Sequence, residues 1–151
     1  NEYSVNIAGW SGTTHQLYST TTYTGKAFIL FRFRAHHAII GIYETPSTGT
    51  DYVEHPLGAF FNHNNYLEHR EGVYQGGGTL YTGTSNDDVL ALWYYGTTIK
   101  YYTIRSGVLT TLRTITVAAN LDVHLDSAWT AVGKIDHLYL AENNPYPHIF
   151  T

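Results

Sequence analysis

The chain has 151 residues, of which 43% are hydrophobic and only 13% are charged. Ordinary globular domains carry about 25% charged residues, so the surface of this chain is unusually neutral. The net charge is −4 with histidine neutral, and no Lys/Arg-rich run occurs, so we expect no nucleic-acid partner. Cysteine is absent, which excludes disulfide bonds and thiolate metal sites.

The length fits one domain, and we predict a single unit over residues 1–151 with its core within about residues 3–140. No run of about 18 apolar residues occurs, so we expect no membrane insertion, and the start of the chain does not have the pattern of a signal peptide. Since the chain does not begin with Met, we expect a domain cut from a longer protein or a processed chain.

Short β-rich runs alternate with turns along most of the chain, and helical periodicity is nearly absent. In chain order, the predicted strands are residues 3–8, 16–19, 26–34, 37–43, 57–63, 65–70, 72–75, 88–95, 98–105, 108–116, 121–125 and 135–140. Residues 76–78 are predicted as a flexible turn, and residues 141–151 as an extended tail along the surface. About a dozen short strands at regular spacing predict an all-β antiparallel sandwich or barrel.

Residues 26–34 give the clearest early strand, because its side chains divide cleanly between two faces. One face, expected in the core, carries Ala27, Ile29, Phe31 and Phe33. The opposite face, expected to point outward, carries Phe28, Leu30, Arg32 and Arg34.

Seven segments between residues 12 and 140 resemble concanavalin A-like jelly rolls of the legume-lectin and glucanase type, and SPRY domains share part of the signature. In chain order they are residues 23–31 (YTGKAFILF), 39–42 (IIGI), 86–92 (NDDVLAL), 96–102 (GTTIKYY), 106–109 (SGVL), 121–125 (LDVHL) and 135–138 (IDHL). The chain departs from the pattern at Ser106, where Asn is usual in the turn, and at Asn86 or Asp87, where Gly often stands. The resemblance implies two packed antiparallel sheets and a binding module more often than an enzyme.

The resemblance also divides the hairpin over residues 87–107 into a core face and an outer face. The core face is expected to carry Leu90, Leu92, Tyr94, Ile99 and Tyr101. The outer face is then expected to carry Trp93, Tyr95, Lys100 and Tyr102. Exposed aromatic rings offer a flat apolar area with a polar edge, which suits the C–H face of a sugar. Alternatively, these rings pack beneath a second layer or form a contact between subunits.

A basic strip on the outer face of the early strand is the second candidate site. Arg32, Arg34 and His36 alternate along it. Because the Arg fork binds a carboxylate through paired hydrogen bonds, this strip would suit sialic acids, uronic acids or anionic lipopolysaccharide groups. The alternative is a set of solvated cations or local ion pairs.

Neither a metal site nor a catalytic constellation is predicted. The nine His residues show no metal-binding spacing, and the Asx-rich segments 62–65 and 86–88 reproduce no calcium motif. The Glu-x-Asp-x-(x)-Glu strand of the related glucanases is missing, so the two carboxyl groups that glycoside hydrolysis needs are not evident. We therefore expect no enzyme, no metal and no cofactor.

The sequence predicts a non-enzymatic recognition domain, the glycan- or receptor-binding head of an adhesin or of a phage or viral fibre. It would lie outside the cell, or on a cell or virion surface. The ligand would stack on Trp93, Tyr95 or Tyr102, and Arg32 or Arg34 would attract an anionic group. The alternatives are a homotrimeric assembly domain of a fibre and a glycosidase-like enzyme.

Overall fold

The computed structural model describes residues 2–7, 15–19, 21–33, 38–44, 54–63, 66–73, 78–83, 87–129 and 133–151. Within these ranges the chain forms only β-strands and turns, and no helix there could cross a membrane. The strands are β1 (Glu2–Ile7), β2 (His15–Tyr18), β3 (Tyr23–Thr24), β4 (Lys26–Phe33), β5 (Ala38–Tyr43), β6 (Glu54–His63), β7 (Tyr66–Val73), β8 (Gly78–Thr82), β9 (Val89–Tyr95), β10 (Thr98–Arg105), β11 (Val108–Thr116), β12 (Asp122–Trp129) and β13 (Gly133–Ala141).

The strands form two antiparallel sheets. One has six strands in the order β1-β13-β4-β9-β10-β11. The other has the order β2-β12-β5-β6-β7-β8, with β3 also paired to β12. The buried side chains of the two sheets form one shared core cluster, so the predicted all-β antiparallel sandwich is confirmed.

The alternation of side chains along the central strands is also as predicted. The inner face of β4 places Ala27, Ile29, Phe31 and Phe33 in the core, and the β9–β10 hairpin adds Leu90, Leu92, Tyr94, Ile99 and Tyr101. Edge-to-face ring contacts join the two sheets: Phe60 of β6 lies 5.7 Å from Phe31 and 5.0 Å from Tyr101 between ring centroids.

Two predicted boundaries are wrong near β7 and β8. A break was expected after residue 70, but β7 continues to Val73, and residues 76–78 were expected as a turn, although Gly78 begins β8. Gly78 pairs with His69, and a Cβ atom at position 78 would lie 2.7 Å from the His69 Nε2 atom. The absence of a side chain at Gly78 therefore allows the two strands to pack closely. A sequence pattern does not distinguish a glycine in this role from a glycine in a turn.

A polar contact ties the two sheets together beside this packing. Arg113 Nε of β11 donates to Glu71 Oε1 of β7 at 2.9 Å, and the second carboxylate oxygen lies 2.6 Å from His69 Nδ1. The Glu71 side chain is only 17% exposed. The adjacent Tyr101 ring is fully buried; burial raises the pKa of its phenol, and the negative charge of Glu71 raises that pKa further.

Residues 142–151, called the strap below, lie across the outer face of the six-stranded sheet. Phe150 is 2% exposed, and its ring packs 5.4 Å from Phe28 and 5.2 Å from Tyr102 between centroids. The strap is not extended as predicted, because the backbone N–H groups of Ile149 and Phe150 both donate to the Tyr146 carbonyl. The resulting turn directs the Phe150 ring onto the sheet.

Candidate functional site

The outer face of the six-stranded sheet brings together most of the side chains predicted for binding. Register pairs Lys100 with Trp93, Thr98 with Tyr95, and Tyr102 with Ala91. Directly opposed residues in an antiparallel pair point to the same side, so the predicted outer set shares one face.

Tyr102 is not displayed on that face, and the prediction that it is available for a ligand is wrong. It is 1% exposed beneath Phe150, and its hydroxyl donates to the Thr151 carbonyl at 2.9 Å. Burial raises the pKa of the Tyr102 phenol to about 12, with a smaller contribution from the neighbouring Tyr95. Tyr102 therefore fits the alternative reading, packing beneath a second layer.

Trp93 and Tyr95 remain half-buried beside the strap. Their ring centroids lie 4.0 Å apart with a 33° angle between the planes, so they form one aromatic pair. Lys100 Nζ lies 5.9 Å from the Tyr95 ring centroid and also donates to the Thr151 carbonyl at 3.0 Å. An ammonium group has three N–H donors, so Lys100 retains capacity for a hydroxyl at the edge of the pair.

Arg32 lies at the other end of the same face, whereas Arg34 and His36 lie outside the described residues. A pocket of about 190 Å³ adjoins Arg32 where β4, β9, β13 and the strap meet. Its lining residues are Leu30, Phe31, Arg32, Val89, His137, Tyr139 and Tyr146. The Arg32 Nε atom is buried and has no hydrogen-bond partner among the described residues.

A β-bulge in β13 shapes this pocket. The pairing with β4 shifts between Asp136 and Tyr139, and His137 adopts a left-handed conformation with a φ of 53°. Leu138 consequently enters the core, while Tyr139 faces the pocket. Because an ionised carboxylate only accepts hydrogen bonds, the His137 Nδ1–H group donates to Asp136 Oδ1 at 2.9 Å.

Sequence reasoning missed His137, Tyr139 and Tyr146 as lining residues. A signal for the bulge was present, because the core residues Ile135 and Leu138 are three positions apart, which breaks the two-residue period of a strand. Nothing in the local pattern indicated Tyr146, since it reaches the pocket only through the path of the strap.

Asp88, Glu68 and Glu71 each have an arginine partner. Asp88 Oδ1 lies 3.7 Å from Arg105 Nε, while Glu68 and Glu71 each bind an arginine at 2.9 Å. Among the described residues, no group of three His, Cys, Asp or Glu side chains could hold a metal ion. Residues 64–65 of the first Asx-rich segment and residue 86 of the second lie outside the described residues.

Comparison with solved structures identifies the fold. The PSpry domain of TRIM65 superposes with a TM-score of 0.63 at 14% identity, covering 85% of this chain and 71% of that one. The legume lectin-like domain from Entamoeba histolytica gives 0.62 at 11% identity, covering 95% and 85%. The VIP36 exoplasmic/lumenal domain gives 0.61 at 13% identity, covering 93% and 78%. The chain therefore has the concanavalin A-like jelly-roll fold, as predicted. No family model and no curated protein sequence matches it.

Proposed function

We propose that this domain is a non-catalytic carbohydrate-recognition domain that binds glycans through the outer face of its six-stranded sheet. The observation that carries the proposal is the uneven covering of that face. The strap buries the rings of Phe28 and Tyr102 but leaves the Trp93–Tyr95 pair half-buried. An aromatic pair left accessible where neighbouring rings are covered is a suitable surface for a sugar ring.

The chemistry of the pair supports a sugar ligand. Aromatic rings offer apolar area to the C–H face of a saccharide, and Lys100 beside Tyr95 can donate to its hydroxyl groups.

Two of the solved structures with this fold support the same proposal. The VIP36 domain was solved with Ca²⁺ and mannose bound, and the Entamoeba domain is legume lectin-like. Because one fold hosts many functions, these likenesses support the ligand class, while the residues of the sheet face carry the site.

The biological setting that we propose is the head of an adhesin or of a phage or viral fibre, on a cell or virion surface. The support is the sequence resemblance together with a Thr- and Tyr-rich, lightly charged composition. In that setting the partner is a glycan or a glycosylated receptor on another cell.

A glycan array with the wild-type domain and the Trp93→Ala variant tests the proposal. We expect wild-type binding to at least one glycan class, and a loss of about fivefold or more in affinity in the variant, since one stacked ring contributes about 1 kcal/mol. Tyr66→Ala removes a 44% exposed ring from the other sheet and should leave binding unchanged. Absence of any glycan binding, or equal binding by wild type and Trp93→Ala, contradicts the proposal.

The second candidate function is homotrimeric assembly. The half-buried Trp93–Tyr95 pair would suit a contact between subunits, but Tyr102 is already covered by the strap of its own chain. Light scattering separates the two functions: a stable trimer that dissociates in Trp93→Ala supports assembly, whereas a monomer that binds glycans supports recognition.

A further inference from the structure

We propose that the pocket beside Arg32 binds the carboxylate of an acidic sugar of the uronic-acid class. The inference rests on the proposed carbohydrate recognition and adds a second, chemically distinct subsite to it. Three features carry it: the partly buried Arg32 side chain, the bulge in β13 and the walls of the pocket.

The Arg32 guanidinium supplies the positive charge. Its Nε atom is buried without a hydrogen-bond partner among the described residues, and it adjoins a pocket of about 190 Å³. An unpaired buried N–H group is costly, so a ligand oxygen that reached this atom would supply a hydrogen bond that the described residues do not make. The planar fork of arginine matches the two oxygens of a carboxylate.

The charges around the pocket favour a singly charged ligand. Asp136 pairs in register with Arg32 on the neighbouring strand, and its side chain is 7% exposed. Its carboxylate accepts from His137, which forms part of the lining. Because the Asp136 carboxylate offsets part of the positive charge of Arg32, a doubly charged phosphate would be repelled more strongly than a single carboxylate.

The remaining walls fit a sugar ring. Tyr139 and Tyr146 contribute aromatic surface, and Leu30 and Val89 contribute apolar surface. The bond from His137 Nδ1 to Asp136 orients the imidazole and leaves its Nε2 atom to contact a ligand hydroxyl. The volume is below that of pockets for drug-sized ligands, so the pocket admits one sugar residue.

The backbone of β13 is strained at this point. His137 has a φ of 53°, which is costly for a residue other than glycine. The bulge is also what places both His137 and Tyr139 at the pocket. Bulges and strained residues occur preferentially at functional sites, so this observation supports the site independently of Arg32.

This subsite is separate from the Trp93–Tyr95 pair. Trp93 pairs with Phe28, and Arg32 lies four residues further along β4, which corresponds to about 13 Å along a strand. Leu30 lies between Phe28 and Arg32 on this face of β4, and Phe150 of the strap covers the Phe28 ring. Substitutions at either site therefore test it without removing the other.

Isothermal titration calorimetry at low ionic strength with methyl glucuronide, methyl glucoside and acetate provides the test. Wild type should bind methyl glucuronide at least about tenfold more tightly than either of the other two probes, as expected for a hydrogen-bonded charge plus ring contacts. Arg32→Gln should reduce this preference to parity. Lys26→Gln removes an exposed cation from the same strand and face, and should preserve the preference.

Three results would overturn the inference. They are equal binding of glucuronide and glucoside by wild type, equal binding of acetate and glucuronide, and an equal loss in Arg32→Gln and Lys26→Gln. If Arg32→Gln does not fold, Tyr146→Ala replaces it: this ring is 37% exposed, and its loss should weaken glucuronide binding severalfold. Unchanged binding in Tyr146→Ala also counts against the pocket.

The outcomes also separate this inference from the proposed function. Glycan binding that depends on Trp93 without any preference for glucuronide contradicts the pocket and keeps the recognition function. Glucuronide binding that depends on Arg32, with no effect of Trp93→Ala on any glycan, contradicts the aromatic pair and keeps the pocket.

Discussion

Tyr102 couples the stability of the fold to alkaline pH. Its phenol has a pKa of about 12 in the folded protein because it is buried, whereas the ordinary value is 10. Between pH 10 and 12 the unfolded chain loses this proton first, so the free energy of unfolding falls as pH rises. The expected loss from Tyr102 is about 2–3 kcal/mol by pH 12, and none is expected below pH 9.

Urea unfolding at pH 8, 10 and 11 measures this dependence. Tyr102→Phe should show a shallower decline above pH 10 than wild type, because one ionisable group that is buried in the fold has been removed. Tyr66→Phe alters an exposed ring and should follow wild type. Identical declines in Tyr102→Phe and wild type would contradict the prediction. Tyr101, whose pKa is also raised, keeps part of the decline in every variant.

At the residue scale, the alternation of side chains along the sequence predicted on which face of the sheet a residue lies, but not which residues the strap covers. The two-residue period of a strand separated Leu92 and Tyr101 from Trp93 and Tyr102, and the family resemblance indicated which of the two faces lies in the core. The burial of Tyr102 did not follow, because it depends on Phe150, which is 48 residues away in sequence and reaches the sheet through a turn.

Among the elements, the strap places one buried ring on the sheet, that of Phe150. Phe150→Ala removes a ring that packs on Phe28 and Tyr102, and a buried Phe→Ala change costs about 3 kcal/mol or more. We expect a lower free energy of unfolding and a fall in the Tyr102 pKa toward its ordinary value as the strap loosens. Chemical denaturation and ultraviolet titration of the tyrosines measure the two effects.

Ile149→Ala is the matched control for the strap. Ile149 precedes Phe150 in the same turn but is 39% exposed, so its truncation should cost less than about 1 kcal/mol. A Phe150→Ala variant no less stable than Ile149→Ala, with Tyr102 still titrating near pH 12, would show that the strap is held by its polar contacts instead.

The strands differ in how well the sequence predicted them. The β9–β10–β11 meander was predicted at nearly its observed bounds because tight turns with glycine separate its periodic runs. In β13 the period is broken by the bulge, so the sequence located the strand but not the side chains that its distortion brings to the pocket.

For the whole molecule, the Arg113–Glu71–His69 contact links the two sheets. Glu71→Gln removes the charge that both partners contact, and we expect a loss of about 1–3 kcal/mol in the free energy of unfolding. Arg113 is 42 positions away from Glu71, so the unfolded chain does not preserve their proximity. Urea unfolding near neutral pH measures the loss.

Glu68→Gln provides the comparison for this prediction. Glu68 lies on the same strand and binds Arg70, only two residues away, at 2.9 Å. Part of that attraction persists in the unfolded chain, so the loss should be about 1 kcal/mol or less. Equal losses in the two variants would mean that the contact between the sheets contributes no more than a local ion pair.

The architecture of the whole molecule was predictable because several segments, none of them specific on its own, occur in the order that is typical of one fold. Runs such as residues 96–102 and 106–109 are common individually, but their succession specifies a sandwich. The order of strands within each sheet depends on long-range pairing, such as β4 between β9 and β13, which no local pattern encodes.

The anchoring of Thr151 affects how the domain should be handled in binding experiments. Its carbonyl is held by Lys100 and Tyr102, so a linker attached after this residue leaves from the same sheet face as the aromatic pair. Immobilisation there would turn that face toward the support. The chain has no cysteine, so Tyr66→Cys, on the other sheet, would provide a unique thiol for coupling that leaves the proposed sugar-binding face pointing into solution.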